Sequence, residues 1–267
     1  MADQGSTSDV PLFGAVKSAL IWAGIGGVTI AEYAVCAPSS LIALPFDRRR
    51  AIGHWWATRW GRWCVKVNPA WTCSVEGEVP KGHFVIIANH ESMGDIMVAF
   101  HLDHHFKWIA KEVIFKVPFM GWLMHQAGYI PLRRGDKASV QQCMDRARKV
   151  LAEGVSVLFF PEGTRSPDGS VRDFKPGAFK LALESGVDIL PLAITGTKGV
   201  LPKHSWRFSS EKSAMRGLVG EPISVKGLTE ADLPDLMARA RDAIIVLKNR
   251  LDGVEAAPPL RRAAMSM

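Results

Sequence analysis

The sequence predicts an α/β fold: a mixed, mostly parallel sheet flanked by helices, with an N-terminal membrane-associated two-helix element. Three observations predict it. From residue 81 onward, short apolar runs alternate with stretches of helical periodicity, the pattern of strands joined by crossover helices. The apolar fraction of 48% over 267 residues suits one α/β core with an appendage better than two full domains. The first seventy residues differ in kind, with two uncharged apolar runs followed by a tryptophan- and arginine-rich stretch. The chain accordingly divides into membrane-docking helices over 1–70, the α/β domain over 71–253, and a flexible tail over 254–267 with Pro258-Pro259 and Arg261-Arg262.

Residues 18–31 carry no charge and neither do residues 33–46; Glu32 separates the two runs and Pro38 interrupts the second. Crossing the hydrocarbon core takes about 20 apolar residues. Residues 18–37 reach that length only by including Glu32, and Gly24, Gly26 and Gly27 weaken the helix further. A helix lying in or dipping into one leaflet therefore competes on at least equal terms with a spanning one. A signal peptide is disfavoured, because Asp3, Asp9 and the single Lys17 make a poor positive n-region.

After Arg48-Arg49-Arg50, the residues Ile52, Trp56, Trp60 and Trp63 fall within an arc of roughly 80° at about 100° per residue. Arg59, Arg62 and Lys66 occupy a neighbouring arc, with Trp55 among them. Tryptophans on one side and cations on the other match a helix at the headgroup boundary. The competing reading is a core-packed aromatic stripe with a solvated basic face. Five of the nine tryptophans lie between Trp55 and Trp71, and that concentration favours docking through Trp56, Trp60, Trp63, Arg59 and Arg62.

In the α/β part, strands are predicted over 84–89, 106–110, 129–132, 155–160 and 189–194. Helices are predicted over 94–102, 119–127, 137–152, 177–184 and 231–251. Ligands of such sheets gather at the carboxyl ends of the strands, where His90, Arg133 and Glu162 would emerge. The net charge of +7 favours an anionic partner. Zinc-finger spacing, an RNP-like aromatic signature and a long basic run are all missing, which argues against nucleic acid and for anionic lipid. Cys36, Cys64, Cys73 and Cys143 are scattered without C-x-x-C spacing and read as reduced thiols of a cytosol-facing protein. His101, His104 and His105 cluster but read as a solvated helix end, and no metal site is predicted.

Four segments carry chemistry. Asn89-His90-Glu91-Ser92-Met93-Gly94-Asp95 follows the apolar run 84–88. In one regular helix, positions five apart point about 140° away from each other. His90 and Asp95 can meet only if the histidine sits in the strand-to-helix turn and the aspartate in the first helical turn, which yields an imidazole held by a carboxylate. Phe159-Phe160-Pro161-Glu162-Gly163-Thr164-Arg165-Ser166 ends a strand in a charged loop, where Gly163 permits close backbone approach and Arg165 offers a fork that fits phosphate. Lys111 lies upstream of Gly128-Tyr129-Ile130-Pro131-Leu132-Arg133-Arg134, a strand running into paired arginines. Leu190-Pro191-Leu192-Ala193-Ile194 is an apolar strand whose proline predicts an edge or a bulge.

In this order and at these separations, the four segments resemble the glycerolipid acyltransferase family, most closely its bacterial-type 1-acylglycerol-3-phosphate acyltransferases. The resemblance covers roughly residues 80–200. It implies transfer of an acyl group from acyl-CoA or acyl carrier protein to the sn-2 hydroxyl of lysophosphatidic acid, giving phosphatidic acid in phospholipid biosynthesis. No resident cofactor is implied, and the expected location is the inner membrane, with the catalytic domain facing the cytoplasm. By this likeness His90 is the general base and Asp95 orients it. Glu162, Gly163, Thr164 and Arg165 would contact the acceptor's glycerol and phosphate, with Lys111, Arg133 and Arg134 as further basic contacts. The alternatives are another lysolipid acceptor, such as a lyso-ornithine lipid or a lysophospholipid, and a non-catalytic lipid-binding protein.

The residues themselves are consistent with that chemistry. An alcohol attacks poorly at neutral pH unless a base takes its proton, an assistance worth roughly 10²–10⁴-fold. No serine or cysteine nucleophile with a neighbouring base is evident, which favours direct transfer over an acyl-enzyme. Backbone amides at the start of the helix after His90 are the expected oxyanion donors.

Overall fold

The computed structural model describes residues 11–201, 205–209 and 211–254, so all of the expected tail except Val254 lies outside the described residues. The amino-terminal apolar runs form one helix, α1 (Pro11–Ala43), which continues through Pro38. Proline removes one backbone donor from a helix interior, and here the neighbouring Ser39 hydroxyl bonds the Cys36 carbonyl at 3.0 Å. By length and composition α1 could cross a membrane. Its buried positions nonetheless recur at helical spacing and include polar residues: Ser18, Ile21, Thr29, Glu32, Cys36 and Ser40. The opposite face leaves Leu20, Ile30, Val35, Leu41 and Ile42 exposed.

Helix α2 (Ala51–Lys66) starts where the Asp47 carboxylate accepts from the amides of Ala51 and Ile52 at 2.9 and 2.8 Å. It packs against α1 through two indoles: Trp60 Nε1 donates to Thr29 Oγ1 and Trp56 Nε1 to Ser39 Oγ, both at 2.9 Å. Gly61 lets α2 approach the next layer closely, since a Cβ there would meet the Phe100 side chain at 2.8 Å.

The remainder is a seven-stranded sheet built from β1 (Trp71–Glu76), β2 (Val85–Ala88), β3 (Phe106–Lys111), β4 (Ile130–Leu132), β5 (Ser156–Phe159), β6 (Ile189–Thr195) and β7 (Ser213–Val219). Its order is β1-β7-β6-β2-β5-β3-β4, and only the β6–β7 pair is antiparallel. The central strand β2 is buried along its whole length because both faces are covered. Side chains alternate across the sheet. Ile86 and Ala88 join a core with α1, α2, α3 (Asp95–Ala99) and α4 (Met120–Gln126), whereas Val85 and Ile87 join one with α5 (Lys137–Ala152), α6 (Gly177–Ser185) and α7 (Leu233–Asp252).

Five predicted strands and five predicted helices are present, all but α5 with shifted ends, and β1 and β7 are additional. The helix expected over 94–102 contracts to Asp95–Ala99. Pro191 lies in an interior strand rather than at an edge. Its carbonyl accepts from Gly220 at 2.9 Å, and antiparallel pairing resumes at Ile189↔Ile223 one residue out of step with Leu192↔Val219, so the proline sits at a bulge, as its residue type predicts. His104 and His105 are not a solvated helix end: their rings contact Ser156 Oγ at 2.7 Å and Lys107 Nζ at 3.0 Å.

Candidate active site

His90 stands in the turn after β2, and Asp95 is the first residue of α3. Their side chains meet, with His90 Nδ1 2.6 Å from Asp95 Oδ2. The same Oδ2 accepts from the amides of Glu91 at 2.7 Å and Ser92 at 3.0 Å, and Oδ1 accepts from the Thr197 hydroxyl. Because a carboxylate only accepts, Nδ1 carries the proton and Nε2 presents its lone pair. Asp95 is fully buried while His90 remains partly open, as a base that must reach substrate requires. Phe160 stacks on the imidazole with ring centroids 4.4 Å apart.

The turn is fastened to both neighbouring strands. Asn89 exchanges two hydrogen bonds with Ile194 of β6, at 2.8 and 2.7 Å. The amide of Ser166 donates to the His90 carbonyl at 2.7 Å, and the His90 amide donates to Glu162 Oε1 at 2.9 Å. Glu162 Oε2 is buried with no hydrogen-bond partner among the described residues. Burial pushes the Glu162 carboxyl up to about 7, against the pull of the His90 amide. Gly163 has φ of 70°, and a Cβ there would meet Lys175 Cε at 2.8 Å, so the glycine admits both the turn and the lysine. Arg165 is half-buried and makes no hydrogen bond or ion pair among the described residues; Thr164 is likewise half-buried. The histidine, Glu162 and Arg165 thus emerge from the carboxyl ends of adjacent parallel strands.

Lys111 and Arg134 belong to a different recess at the carboxyl ends of β3 and β4, shared with Lys116 and Arg133. Arg133 is already engaged, with Nε and Nη2 gripping the Glu112 carboxylate at 2.8 and 3.1 Å. Its guanidinium ties β4 to the short helical turn after β3.

The aromatic stripe of α2 divides. Trp60 is buried against α1, Trp56 is half-buried, and Trp63 is exposed with Lys66 over its ring at 4.7 Å. Arg59 stacks on the exposed Trp55 at 3.8 Å, and Arg62 is exposed.

Thr197, which anchors Asp95 from 102 residues away, carried no signal in the sequence beyond its place after β6. The amides of Glu91 and Ser92 serve Asp95, and that of Gly94 serves Ser92 Oγ at 3.2 Å.

An apolar cavity of about 140 Å³ adjoins the turn. Met93 and Gly94, between His90 and Asp95, form part of its wall; Ile25 of α1, Trp60 of α2 and Met97 of α3 form others.

Residues 72–195 match the family model for acyltransferases, and this part of the chain is an acyltransferase-family domain. The curated relatives narrow the comparison. The chain is 38% identical over 166 residues to a 1-acyl-sn-glycerol-3-phosphate acyltransferase of Chlamydomonas reinhardtii, covering 60% of this chain and 49% of that protein. It is 27% identical over 188 residues to the 1-acyl-sn-glycerol-3-phosphate acyltransferase of Haemophilus influenzae, covering 68% of this chain and 77% of that one. The matches to the algal protein and to the chloroplastic proteins of Arabidopsis thaliana and Brassica napus span about half of those relatives' lengths. In fold, the chain is similar to the crystal structure of the 1-acyl-sn-glycerophosphate acyltransferase PlsC from Thermotoga maritima. The TM-score is 0.72 at 24% identity, covering 92% of this chain and all of that one.

Proposed function

We propose that the protein transfers an acyl group from a thioester to the sn-2 hydroxyl of a 1-acyl-sn-glycerol 3-phosphate, forming phosphatidic acid at a membrane surface. The observation that carries this reading is that the turn presenting the His90 base is itself a wall of an apolar cavity. His90 Nε2 takes the acceptor's hydroxyl proton as the oxygen attacks the thioester carbonyl, and Asp95 stabilises the imidazolium that forms. The tetrahedral intermediate then expels the thiolate, which recovers the proton from Nε2. Glu162 Oε2 and Arg165, both without protein partners among the described residues, are placed to bind the acceptor's free hydroxyl and phosphate. Lys111 and Arg134 offer positive charge to the anionic donor, acyl-CoA or acyl carrier protein.

The exposed apolar face of α1 and the exposed Trp55 and Trp63 would rest in one leaflet of the inner membrane, leaving the α/β domain on the cytoplasmic side. Lying in the leaflet is favoured over spanning because α1 is hydrogen-bonded to the rest of the protein from Ser18, which accepts from Phe208, to Ser39, which accepts from Trp56.

The test is thiol release by purified protein in vesicles, with a panel of lysolipid acceptors and both donor types. Release is expected to require an acceptor, to be fastest with lysophosphatidic acid and to vanish in a folded His90→Ala variant. Acceptor-independent release would reassign the protein as a thioesterase, and near-wild-type activity of His90→Ala would overturn the mechanism.

A further inference from the structure

The apolar cavity contains a polar group that a plain alkyl chain does not use. Glu32 of α1 is among its walls at only 8% exposure, and neither carboxyl oxygen finds a hydrogen-bond partner among the described residues. The Trp108 indole Nε1, in the same lining, is also buried and also without a partner among them. Of the other polar groups in the wall, the Trp71 indole makes no hydrogen bond among the described residues, and four are occupied. Trp60 Nε1 bonds Thr29, Trp56 Nε1 bonds Ser39, Trp22 Nε1 bonds the Trp206 carbonyl at 2.8 Å, and the Tyr129 hydroxyl meets His54 Nδ1 at 3.1 Å. Among the described residues of the wall, Glu32 and Trp108 carry the polar atoms that are both buried and without a partner.

A buried carboxyl without a partner destabilises a fold. Burial pushes the Glu32 pKa up to about 7, opposed by the Arg59 charge and the Trp60 amide, neither of which is in hydrogen-bond geometry with it. A protonated carboxyl both donates and accepts, and an indole N–H donates. Together they match a small oxygen function and have nothing to offer a methylene.

We propose that this cavity is a binding site for acyl chains bearing a hydroxyl or keto oxygen along the chain, with Glu32 as its principal partner and Trp108 as a second donor. The proposal rests on the reading of the cavity as the acyl site. A plain chain seals both groups away from water without pairing them, whereas an oxygenated chain restores the lost hydrogen bonds. Discrimination of about tenfold or more follows from pairing one such group.

The experiment compares kcat/KM for stearoyl-CoA with that for a series of stearoyl-CoA donors carrying one hydroxyl at successive chain positions, using the full-length protein in vesicles. One position is expected to be preferred over the plain donor by about tenfold. Glu32→Leu should abolish that preference and increase use of the plain donor, while Glu32→Gln should retain most of it. A flat profile in the wild type, or a preference unchanged by Glu32→Leu, would overturn the proposal, and the wild-type profile decides even if the leucine variant does not fold. Absence of transfer from every donor would instead refute the acyltransferase reading. The subsite would then be read by competition of hydroxystearate against stearate for binding, equal affinities sinking it.

Discussion

Asp95→Asn tests the core of the mechanism, and the structure says what it removes. Asp95 Oδ2 accepts from the amides of Glu91 and Ser92 as well as from His90, while Oδ1 accepts from Thr197. Two fixed N–H donors on one side force the asparagine to turn its oxygen toward His90 and its amide toward Thr197, whose hydroxyl can accept instead of donate. The Nδ1–H tautomer is thereby preserved, and only the charge facing the imidazolium is lost. A charge-assisted hydrogen bond of this kind is worth about 1.5–3 kcal/mol, so kcat should fall roughly 10- to 150-fold with little change in KM. Asp95→Ala is a different perturbation. It orphans two buried amides and a hydroxyl, at about 1–3 kcal/mol each, against a total stability of about 5–15 kcal/mol. Acyl transfer at saturating donor, with thermal melting of each variant, separates the two. A folded Asp95→Asn protein with more than half the wild-type kcat would refute the reasoning, as would a melting temperature as low as that of Asp95→Ala.

Two further outcomes follow from the same geometry. The Glu162 carboxyl is raised in the folded protein from 4.5 to about 7. The folded state therefore holds its proton more tightly, and the stability this confers is complete below pH 4.5 and lost as pH rises to 7, a difference of ~3 kcal/mol. Glu162→Gln should flatten melting temperature against pH across that window relative to wild type; parallel curves would show that the carboxyl is not perturbed. Leu20 and Ile42 are 67% and 76% exposed on α1. Replacing both by serine should leave the melting temperature unchanged and weaken sedimentation with vesicles about 30- to 1,000-fold, from ~2–4 kcal/mol of lost apolar burial. Undiminished sedimentation would remove α1 from the docking surface.

The parts of the fold that were legible are those whose local composition reflects their surroundings. Strands β2 and β6 are covered on both faces and read as unbroken apolar runs. Helix α5 begins where Asp136 caps it, its side chain accepting from the Ser139 amide at 3.1 Å, and it ends just before Gly154, whose φ is 74°. Strand β1 alternates buried Trp71 with exposed Thr72 and Ser74, and its partner β7 begins 142 positions after it, at Ser213, with Arg216 and Gly217 within. That pairing is set by tertiary contact that no local window contains. The His90–Asp95 contact was legible because spacing and turn geometry alone demand it. Thr197 was not, because its only link to Asp95 is the adjacency of β2 and β6 in the sheet. The tryptophan periodicity showed which residues share a side of α2 but not that α1 would cover Trp60.

That covering helix bears on how an insoluble substrate reaches a base. Trp22, Ile25 and Glu32 of α1 and Trp56 and Trp60 of α2 line the same cavity as Met93 and Gly94 of the His90–Asp95 turn, so the cavity is walled only when both helices are in place. The outward face of α1 is apolar as well. Drawing a chain of about sixteen methylenes out of lipid through water would cost ~13 kcal/mol, at about 0.8 kcal/mol for each one exposed. A penalty of that size would outweigh any gain from the base, which contributes ~3–5 kcal/mol to the barrier. With α1 resting in the leaflet, one helix carries lipid on one side and the cavity on the other, and the chain can pass beside it without meeting water. Under the proposed function, the base would then act on a headgroup still held at the membrane plane. If the proposed function holds, the N-terminal helices belong to the active site, because removing them would expose the acyl chain to water before it altered a single contact of His90.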